Sequence, residues 1–179
     1  MSRIVSLLAT FAMAMGLVVA MGAPAHADDR RCTGTIRTVS IDGDVNVPRG
    51  ATCTLVGTRV DGNVKVNANA TLVVRGAKVG GNIQAENHNR VRILPREVSG
   101  GISRTTVGGS IQLKQGGGGE IRRARVNGDI QLFSNTDGGR FAVYGNTVGG
   151  NLQCKSNTPR PVGDNNTVKG NKEGQCRGF

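Results

Sequence analysis

The chain has 179 residues, a formal net charge of +11, 28 glycines, no tryptophan and only 3% aromatic residues. This length suits one domain, and the scarcity of aromatic side chains leaves little surface for stacking against neutral sugars. High glycine content is typical of flexible low-complexity chains. Here, however, the glycines recur at fixed positions between aliphatic residues, which a disordered chain does not require. The composition therefore favours an ordered and strongly basic domain.

The first 27 residues have the pattern of a secretory signal peptide. Arg3 supplies the positive charge, residues 4–21 are mostly apolar, and residues 25–27 form an A-x-A cleavage site. An apolar run of this length is also compatible with an uncleaved membrane anchor, but the cleavage site favours removal. We therefore predict a secreted single domain over residues 28–179, with a net charge of +10 and no transmembrane segment after signal removal.

A five-residue phrase, Val-x-Gly-(Asn/Asp/Ser)-aliphatic, recurs through the rest of the chain. Its glycines are Gly43, Gly62, Gly81, Gly109, Gly128, Gly150 and, in a degenerate copy, Gly170. The spacings between them are 19, 19, 28, 19, 22 and 20 residues. A nearly fixed period of this length indicates an architecture of stacked, similar turns.

Aliphatic residues occupy three sites in each repeat, counted from the repeat glycine as position 0. They recur at +2 and +4, at +10 and +12, and two residues before the next glycine. Alternation of this kind is typical of strands, and stacking is needed because a single turn buries almost nothing. We therefore predict an all-β, three-sided parallel β-helix (a β-solenoid) of about six turns of 19–22 residues, right-handed like other parallel crossovers. The polar residues at +1 and the glutamines at +3 are expected to form hydrogen-bonded ladders.

The step of 28 residues interrupts the period and contains a near-copy of the phrase at Val98–Ile102. Nine residues cannot complete a turn of this size. We therefore interpret Val98–Thr106 as an insertion that forms a bulge or an abbreviated side. Insertions on regular scaffolds often carry function, and a neutral duplication is the alternative.

Four cysteines, Cys32, Cys53, Cys154 and Cys176, are expected to form disulfides in an exported chain. Of the three possible pairings, the repeat favours Cys32–Cys53 and Cys154–Cys176, because each pair is separated by about one turn and neighbouring strands lie within disulfide reach. The other pairings would have to cross about five turns, or about 24 Å at a strand spacing of about 4.8 Å. The pairs are thus predicted to staple the two ends of the coil.

Two copies of the phrase, Val60-Asp-Gly-Asn-Val64 and Val126-Asn-Gly-Asp-Ile130, resemble the repeats of the bactofilins, a family of polymer-forming cytoskeletal proteins. The resemblance covers roughly residues 39–153 and implies a three-sided parallel β-helix and self-assembly into filaments. Unlike that cytoplasmic family, this chain has an export signal, a basic composition and paired cysteines. In these respects it resembles small secreted β-helix proteins of high-GC Gram-positive bacteria, a resemblance that implies no particular activity.

Basic residues gather between positions +11 and +16 of the repeat, and we call this set the arginine stripe. Its members are Arg59, Arg75, Lys78, Arg92, Arg96, Arg122, Arg123 and Arg125. Arginine is suited to phosphate and carboxylate oxygens, so the stripe predicts binding to an anionic polymer such as teichoic acid, an acidic polysaccharide, anionic lipid or extracellular DNA. The alternative is that the charge only keeps the protein in solution, with Glu97 and Glu120 neutralising part of it.

Catalytic candidates are few. Asp42, Asp44 and Asp61 stack on the first two turns, where they suggest either a polysaccharide lyase or hydrolase or a calcium site, although Asp beside Gly is also ordinary turn chemistry. His88 lies in a polar run and is expected to be an exposed loop residue. The expectation is a non-catalytic structural or binding protein of the cell envelope, without a cofactor or metal, present as a monomer or small oligomer.

The aromatic residues of one repeat allow two interpretations. Phe133, Phe141 and Tyr144 fall within a single turn, where they suit either the core or an exposed stacking platform.

Overall fold

The computed structural model describes residues 29–179, and the predicted signal peptide lies outside the described residues. Within this part, the chain forms 24 strands and no helix. In chain order they are β1 (Arg30–Arg31), β2 (Thr35–Arg37), β3 (Ser40–Ile41), β4 (Val45–Val47), β5 (Thr52–Val56), β6 (Arg59–Val60), β7 (Val64–Val66), β8 (Thr71–Arg75), β9 (Lys78–Val79), β10 (Ile83–Glu86), β11 (Arg90–Leu94), β12 (Arg96–Val98), β13 (Gly101–Ser103), β14 (Thr106–Val107), β15 (Ile111–Lys114), β16 (Gly119–Arg122), β17 (Arg125–Val126), β18 (Ile130–Phe133), β19 (Phe141–Tyr144), β20 (Thr147–Val148), β21 (Leu152–Lys155), β22 (Val162–Asp164), β23 (Thr167–Val168) and β24 (Lys172–Gly174).

Three parallel sheets form the sides of a three-sided coil, which confirms the predicted β-solenoid. Sheet 1 runs β1-β4-β7-β10-β15-β18-β21-β24, sheet 2 runs β2-β5-β8-β11-β16-β19-β22, and sheet 3 runs β3-β6-β9-β14-β17-β20-β23. The eight strands of sheet 1 correspond to about eight turns rather than the predicted six. The count was low because Arg30–Arg31 pairs as a terminal strand without carrying the phrase, and Lys172–Gly174 follows its degenerate copy.

The aliphatic residues of all three predicted sites point into the coil and are buried. In-register pairing places Val45 beside Val64 and Val64 beside Ile83, at the strand spacing of about 4.8 Å. Similar side chains therefore stack in van der Waals contact along the whole coil. Each fully buried aliphatic side chain contributes on the order of 1.5–3 kcal/mol relative to exposure, and no turn could obtain this alone.

The Gly-Asn part of the phrase forms the corner between sheets 3 and 1. The Asp44 side chain accepts the Asn63 backbone N–H at 2.7 Å, and the Asn63 side chain accepts the Asn82 N–H at 2.9 Å. A Cβ at Gly81 would lie 2.5 Å from the Asn63 Oδ1, so the glycine leaves the space that this ladder occupies. The predicted ladder at +1 is thus present, and so is part of the one at +3, where Gln131 donates to Gln153 at 2.9 Å.

Both ends of the coil are stapled as predicted. Disulfides join Cys32 to Cys53, with Cα atoms 5.4 Å apart, and Cys154 to Cys176, with Cα atoms 5.3 Å apart. Beyond the second disulfide the chain turns back, and the Phe179 ring packs against the α-carbon of Gly163. Phe179 is buried and covers the end of the aliphatic column.

The predicted insertion is an antiparallel hairpin formed by β12 and β13, with Arg96 opposite Ser103. The insertion therefore spans Arg96–Ser103 and not the predicted Val98–Thr106, because Thr106 already pairs within sheet 3. Gly100 and Gly101 have φ values of 89° and 150°, a region that favours glycine and lets the chain reverse. We call the edge between sheets 2 and 3, which carries this hairpin, the hairpin corner.

Candidate anion-binding groove

The outer face of sheet 3 carries three of the predicted cations in one row. Arg59 pairs with Lys78, Lys78 with Thr106, and Thr106 with Arg125 on successive turns. Their neighbours in the strands, such as Val60, point inward and are buried. Alternation along two-residue strands therefore aims Arg59, Lys78 and Arg125 to the outside, where they are exposed.

This row borders a groove of about 370 Å³. The opposite side is formed by the residues that follow each inward valine, namely Asp61, Gly80, Gly108 and Asn127. A Cβ at Gly80 would overlap the carbonyl oxygen of Asp61, and one at Gly108 would overlap the carbonyl of Gly80. The two glycines therefore keep this part of the groove free of side chains, because a Cβ at either position would overlap the backbone of the preceding turn.

The groove keeps most of its positive charge. Arg59 forms an ion pair with Asp61 at 2.8 Å, and both side chains are substantially exposed, so the pair is weak and screened by salt. In the part of the chain that the structure describes, Lys78 and Arg125 form no ion pair. Their ammonium and guanidinium groups are available to an anion.

Two further members of the arginine stripe lie on sheet 2. Arg92 and Arg122 approach the same Glu120 carboxylate at 3.4 and 3.5 Å, and the Arg122 guanidinium lies 5.0 Å from the centre of the Tyr144 ring. The predicted neutralisation by Glu120 is therefore present. These two arginines face away from the groove and are already engaged by neighbouring side chains.

Of the remaining three members, Arg75 is the last residue of β8 and therefore also belongs to sheet 2, whereas Arg96 and Arg123 lie at the hairpin corner. Arg96 begins the hairpin, and Arg123 follows β16 with a φ of 51°. The Arg96 guanidinium extends over Gly57, where a Cβ would overlap it. The single predicted stripe is thus divided into three residues on sheet 3, three on sheet 2 and two on the corner between them.

The candidate catalytic acids are engaged in structural contacts. Asp44 accepts the Asn63 N–H at 2.7 Å and pairs with Lys65 at 2.7 Å. The backbone hydrogen bond from Asn63, followed by the Lys65 ammonium, lowers the pKa of the Asp44 carboxyl. Asp61 pairs with Arg59, and Asp42 is exposed at the corner. No group of three or more His, Cys, Asp or Glu side chains that could hold a metal occurs within residues 29–179.

The prediction that His88 is exposed is wrong. His88 is 1% exposed and lies at the corner between sheets 1 and 2. Its ring is 6.1 Å from that of Phe141, and neither imidazole nitrogen has a hydrogen-bond partner among residues 29–179. Burial lowers the pKa of His88 to about 4, so the side chain is neutral at pH 7. Of the three aromatic residues in the turn that contains Phe133, Phe141 and Tyr144, Phe141 lies in the core, whereas Phe133 and Tyr144 are half-buried.

Sequence reasoning missed two interior ladders of asparagine. Asn135 donates to the Asn157 side chain at 2.8 Å, and Asn146 donates to the Asn166 side chain at 2.8 Å. All four residues are buried. Their spacings of 22 and 20 residues each equal one turn, which is the signal that could have revealed them.

Comparisons with family models, with curated proteins and with solved structures give no match to this chain. The likeness to bactofilin repeats is therefore carried by the parallel β-solenoid itself. The two disulfides indicate an oxidising environment. Among residues 29–179, no helix has the length and apolar character needed to cross a membrane.

Proposed function

We propose that this protein is a secreted, non-catalytic β-solenoid of the cell envelope that binds a linear anionic polymer along the groove of sheet 3. The observation that supports this is the in-register row of Arg59, Lys78 and Arg125 beside a floor of glycine. The row places cationic groups at multiples of the strand spacing of about 4.8 Å. A polymer with regularly repeated phosphate or carboxylate groups can contact several of them at once.

The state of the acidic residues favours binding over hydrolysis. A glycosidase needs one carboxyl group whose pKa is raised so that it can donate a proton to the leaving group. Asp44 is instead stabilised as an anion by Asn63 and Lys65, and Asp61 faces Arg59. The alternative lyase or hydrolase would require Asp42, Asp44 or Asp61, so turnover of acidic polysaccharides that is lost in Asp61→Ala would favour the enzyme instead.

An exported, bactofilin-like polymer is a second candidate, because the stacked coil has the same architecture as that family's repeats. Filaments of that kind require open apolar ends. Here Phe179 covers one end of the column, and disulfides staple both terminal turns. We therefore propose monomers or small oligomers, and negative-stain microscopy of the oxidised protein at low salt distinguishes the two states.

The decisive experiment measures binding to purified teichoic acid and to polyphosphate at two salt concentrations. The triple variant Arg59→Gln/Lys78→Gln/Arg125→Gln should weaken binding by at least about tenfold and reduce the salt dependence, because fewer counterions are released. All three changes leave the inward residues untouched, so the fold should be preserved, which thermal unfolding can verify.

The matched control removes the same charge from another side of the coil. Lys114→Gln/Lys155→Gln/Lys172→Gln changes three lysines on sheet 1. If binding depends only on net charge, both triple variants will lose affinity equally, and the groove is not a site. The proposal would also be contradicted if the wild-type protein bound neither teichoic acid nor polyphosphate at low salt.

A further inference from the structure

The exposed large apolar side chains of the described residues all lie along the hairpin corner. They are Val39, Val98 and Ile102, which are 39%, 40% and 48% exposed. Val39 lies between β2 and β3, and the other two lie near the end of the hairpin. The rest of the described surface offers no comparable side chain, so apolar exposure is confined to one edge of the coil.

The hairpin presents its apolar side chains on both of its faces. Glu97 pairs with Ile102 and Val98 pairs with Gly101, and successive residues of a strand point to opposite faces. Val98 and Ile102 therefore project in opposite directions, separated by a turn without side chains at Gly100 and Gly101. A flat protein partner could cover only one of them, whereas a fluid medium surrounds both.

The base of the hairpin is fixed to the coil. A Cβ at Gly76 would lie 2.7 Å from the Arg96 Cβ and 3.2 Å from the Ser103 carbonyl oxygen, so both strands lie close against this turn. At the point where the hairpin rejoins the coil, the buried Thr105 hydroxyl donates to the Leu94 carbonyl at 2.7 Å. Both strands of the hairpin are thus anchored to the coil at their base.

Basic side chains lie around the base of this hairpin. Arg96 and Arg104 flank it, Arg123 lies on the same corner and Arg75 lies at the adjoining end of β8, and all four are exposed or half-exposed. Glu97 is the one acidic residue of the hairpin. Apolar side chains beside arginines are the combination that binds the interface of anionic membranes, where basic groups contact lipid phosphates and apolar groups enter the acyl boundary.

We propose that the hairpin corner docks on an anionic lipid bilayer, with Val98 and Ile102 inserted among the headgroups. This inference rests on the proposed function in that the cations of sheet 3 would face the same envelope, but it assigns the hairpin to lipid rather than to polymer. A hydrophilic polyanion gains nothing from Val98 or Ile102, whereas a bilayer removes both side chains from water.

The first test uses a fluorescent reporter. The chain has no tryptophan, so Ile102→Trp introduces a sole reporter at the tip, and Gln112→Trp introduces a matched one on sheet 1. With phosphatidylcholine vesicles that contain about one third phosphatidylglycerol, the emission of Ile102→Trp should shift to the blue and that of Gln112→Trp should not. An unshifted tip, or equal shifts at both positions, would overturn the proposal.

The second test separates lipid from polymer. Val98→Ser/Ile102→Ser should weaken co-sedimentation with the same vesicles about tenfold and leave polyphosphate binding unchanged. The sheet 3 triple variant should lose more affinity for polyphosphate than for the vesicles. If the serine variant binds vesicles as well as the wild type does, or loses polyphosphate equally, the hairpin is not a lipid-docking element. The vesicle measurements on Ile102→Trp and on the serine variant do not depend on whether the groove binds polyphosphate, so a failure of the groove proposal and a failure of the lipid proposal are distinguishable.

Discussion

The imidazole of His88 lies directly against the α-carbon of Gly116 on the following turn. A Cβ at that position would overlap Nδ1 and lie 2.6 Å from Cε1. The next three residues, Gly117–Gly119, are equally restricted, because a Cβ at each would collide with backbone atoms of a neighbouring turn. This run of four glycines is therefore a site of close approach between turns, and all four residues are buried.

Replacement of Gly116 by alanine should destabilise the protein by about 1–3 kcal/mol, because overpacking forces His88 and the backbone to shift. Its φ is not in the left-handed region, so the cost is steric. Denaturant unfolding of Gly116→Ala measures the loss. Gly34→Ala is the control, since a Cβ there meets nothing within 4 Å, and it should be nearly neutral. Equal stabilities of the two variants would contradict the close packing.

Acid should destabilise the protein through His88. The folded pKa is lowered to about 4 from the usual 6.5, so the unfolded chain takes up a proton between these values and the folded chain does not. The contribution of neutral, buried His88 to the free energy of unfolding is therefore fully present above about pH 6.5 and is lost as the pH decreases towards 4. The expected loss approaches about 3 kcal/mol, measured as the free energy of unfolding against pH.

The control for this pH dependence is His88→Leu, which keeps an apolar side chain of similar size and cannot take up a proton. Its stability should change little between pH 6.5 and 4. Asp44 acts in a separate window, because its lowered pKa removes stability only as the pH falls below the ordinary carboxyl range. A slope that persists unchanged in His88→Leu would assign the acid sensitivity to other groups.

The repeat phrase predicted the coil because each feature of it has a local cause that recurs in every turn. Gly62 and Asn63 must be small and hydrogen-bonding at their corner, and valine or isoleucine must fill the column, so the pattern repeats with the structure. The burial of His88 was not predictable in this way. Its environment is formed by Gly116 and Phe141, which lie 28 and 53 residues further along the chain.

The arginine stripe shows a second limit of the sequence. Positions +11 to +16 appear contiguous in the repeat, but the chain turns a corner between them. Only the cations at +16, Arg59, Lys78 and Arg125, reach sheet 3, whereas Arg92 and Arg122 precede the corner and face outward from sheet 2. Periodicity gives the number of sides and their inward residues, but the exact position of a corner decides which outward residues meet.

The interior asparagine ladder should contribute more to stability than the exposed one. The Asn157 side chain donates to the Leu132 carbonyl at 2.7 Å and accepts from Asn135 at 2.8 Å. The buried Asn135 backbone N–H donates to the same Asn157 oxygen at 3.1 Å, so Asn157→Ala would remove its acceptor, at a cost of about 1–3 kcal/mol for an unsatisfied group. Thermal or denaturant unfolding should show this loss. Asn171→Ala, at the exposed end of the outer ladder, keeps the backbone N–H that donates to the Asn151 side chain and should change stability by less than about 0.5 kcal/mol. Similar effects of the two variants would show that the interior ladder is not specially stabilising.

The last prediction concerns the covered end of the column. The Phe179 ring lies 2.5 and 2.9 Å from the position that a Cβ on Gly163 would occupy, and its backbone N–H donates to the Cys176 carbonyl at 3.1 Å. The disulfide to Cys154 thus holds the turn that places this ring over the last turn of the coil.

Phe179→Ala should destabilise the protein by about 3 kcal/mol and uncover apolar groups beside unpaired strand edges, which favour end-to-end association. Sedimentation velocity should detect dimers or larger species in Phe179→Ala at concentrations where the wild type does not associate. Gly178→Ala, where a Cβ meets nothing within 4 Å, should behave as the wild type. If Phe179→Ala stays as the wild type in both stability and size, the stapled turn alone closes this end, and the aromatic ring is dispensable.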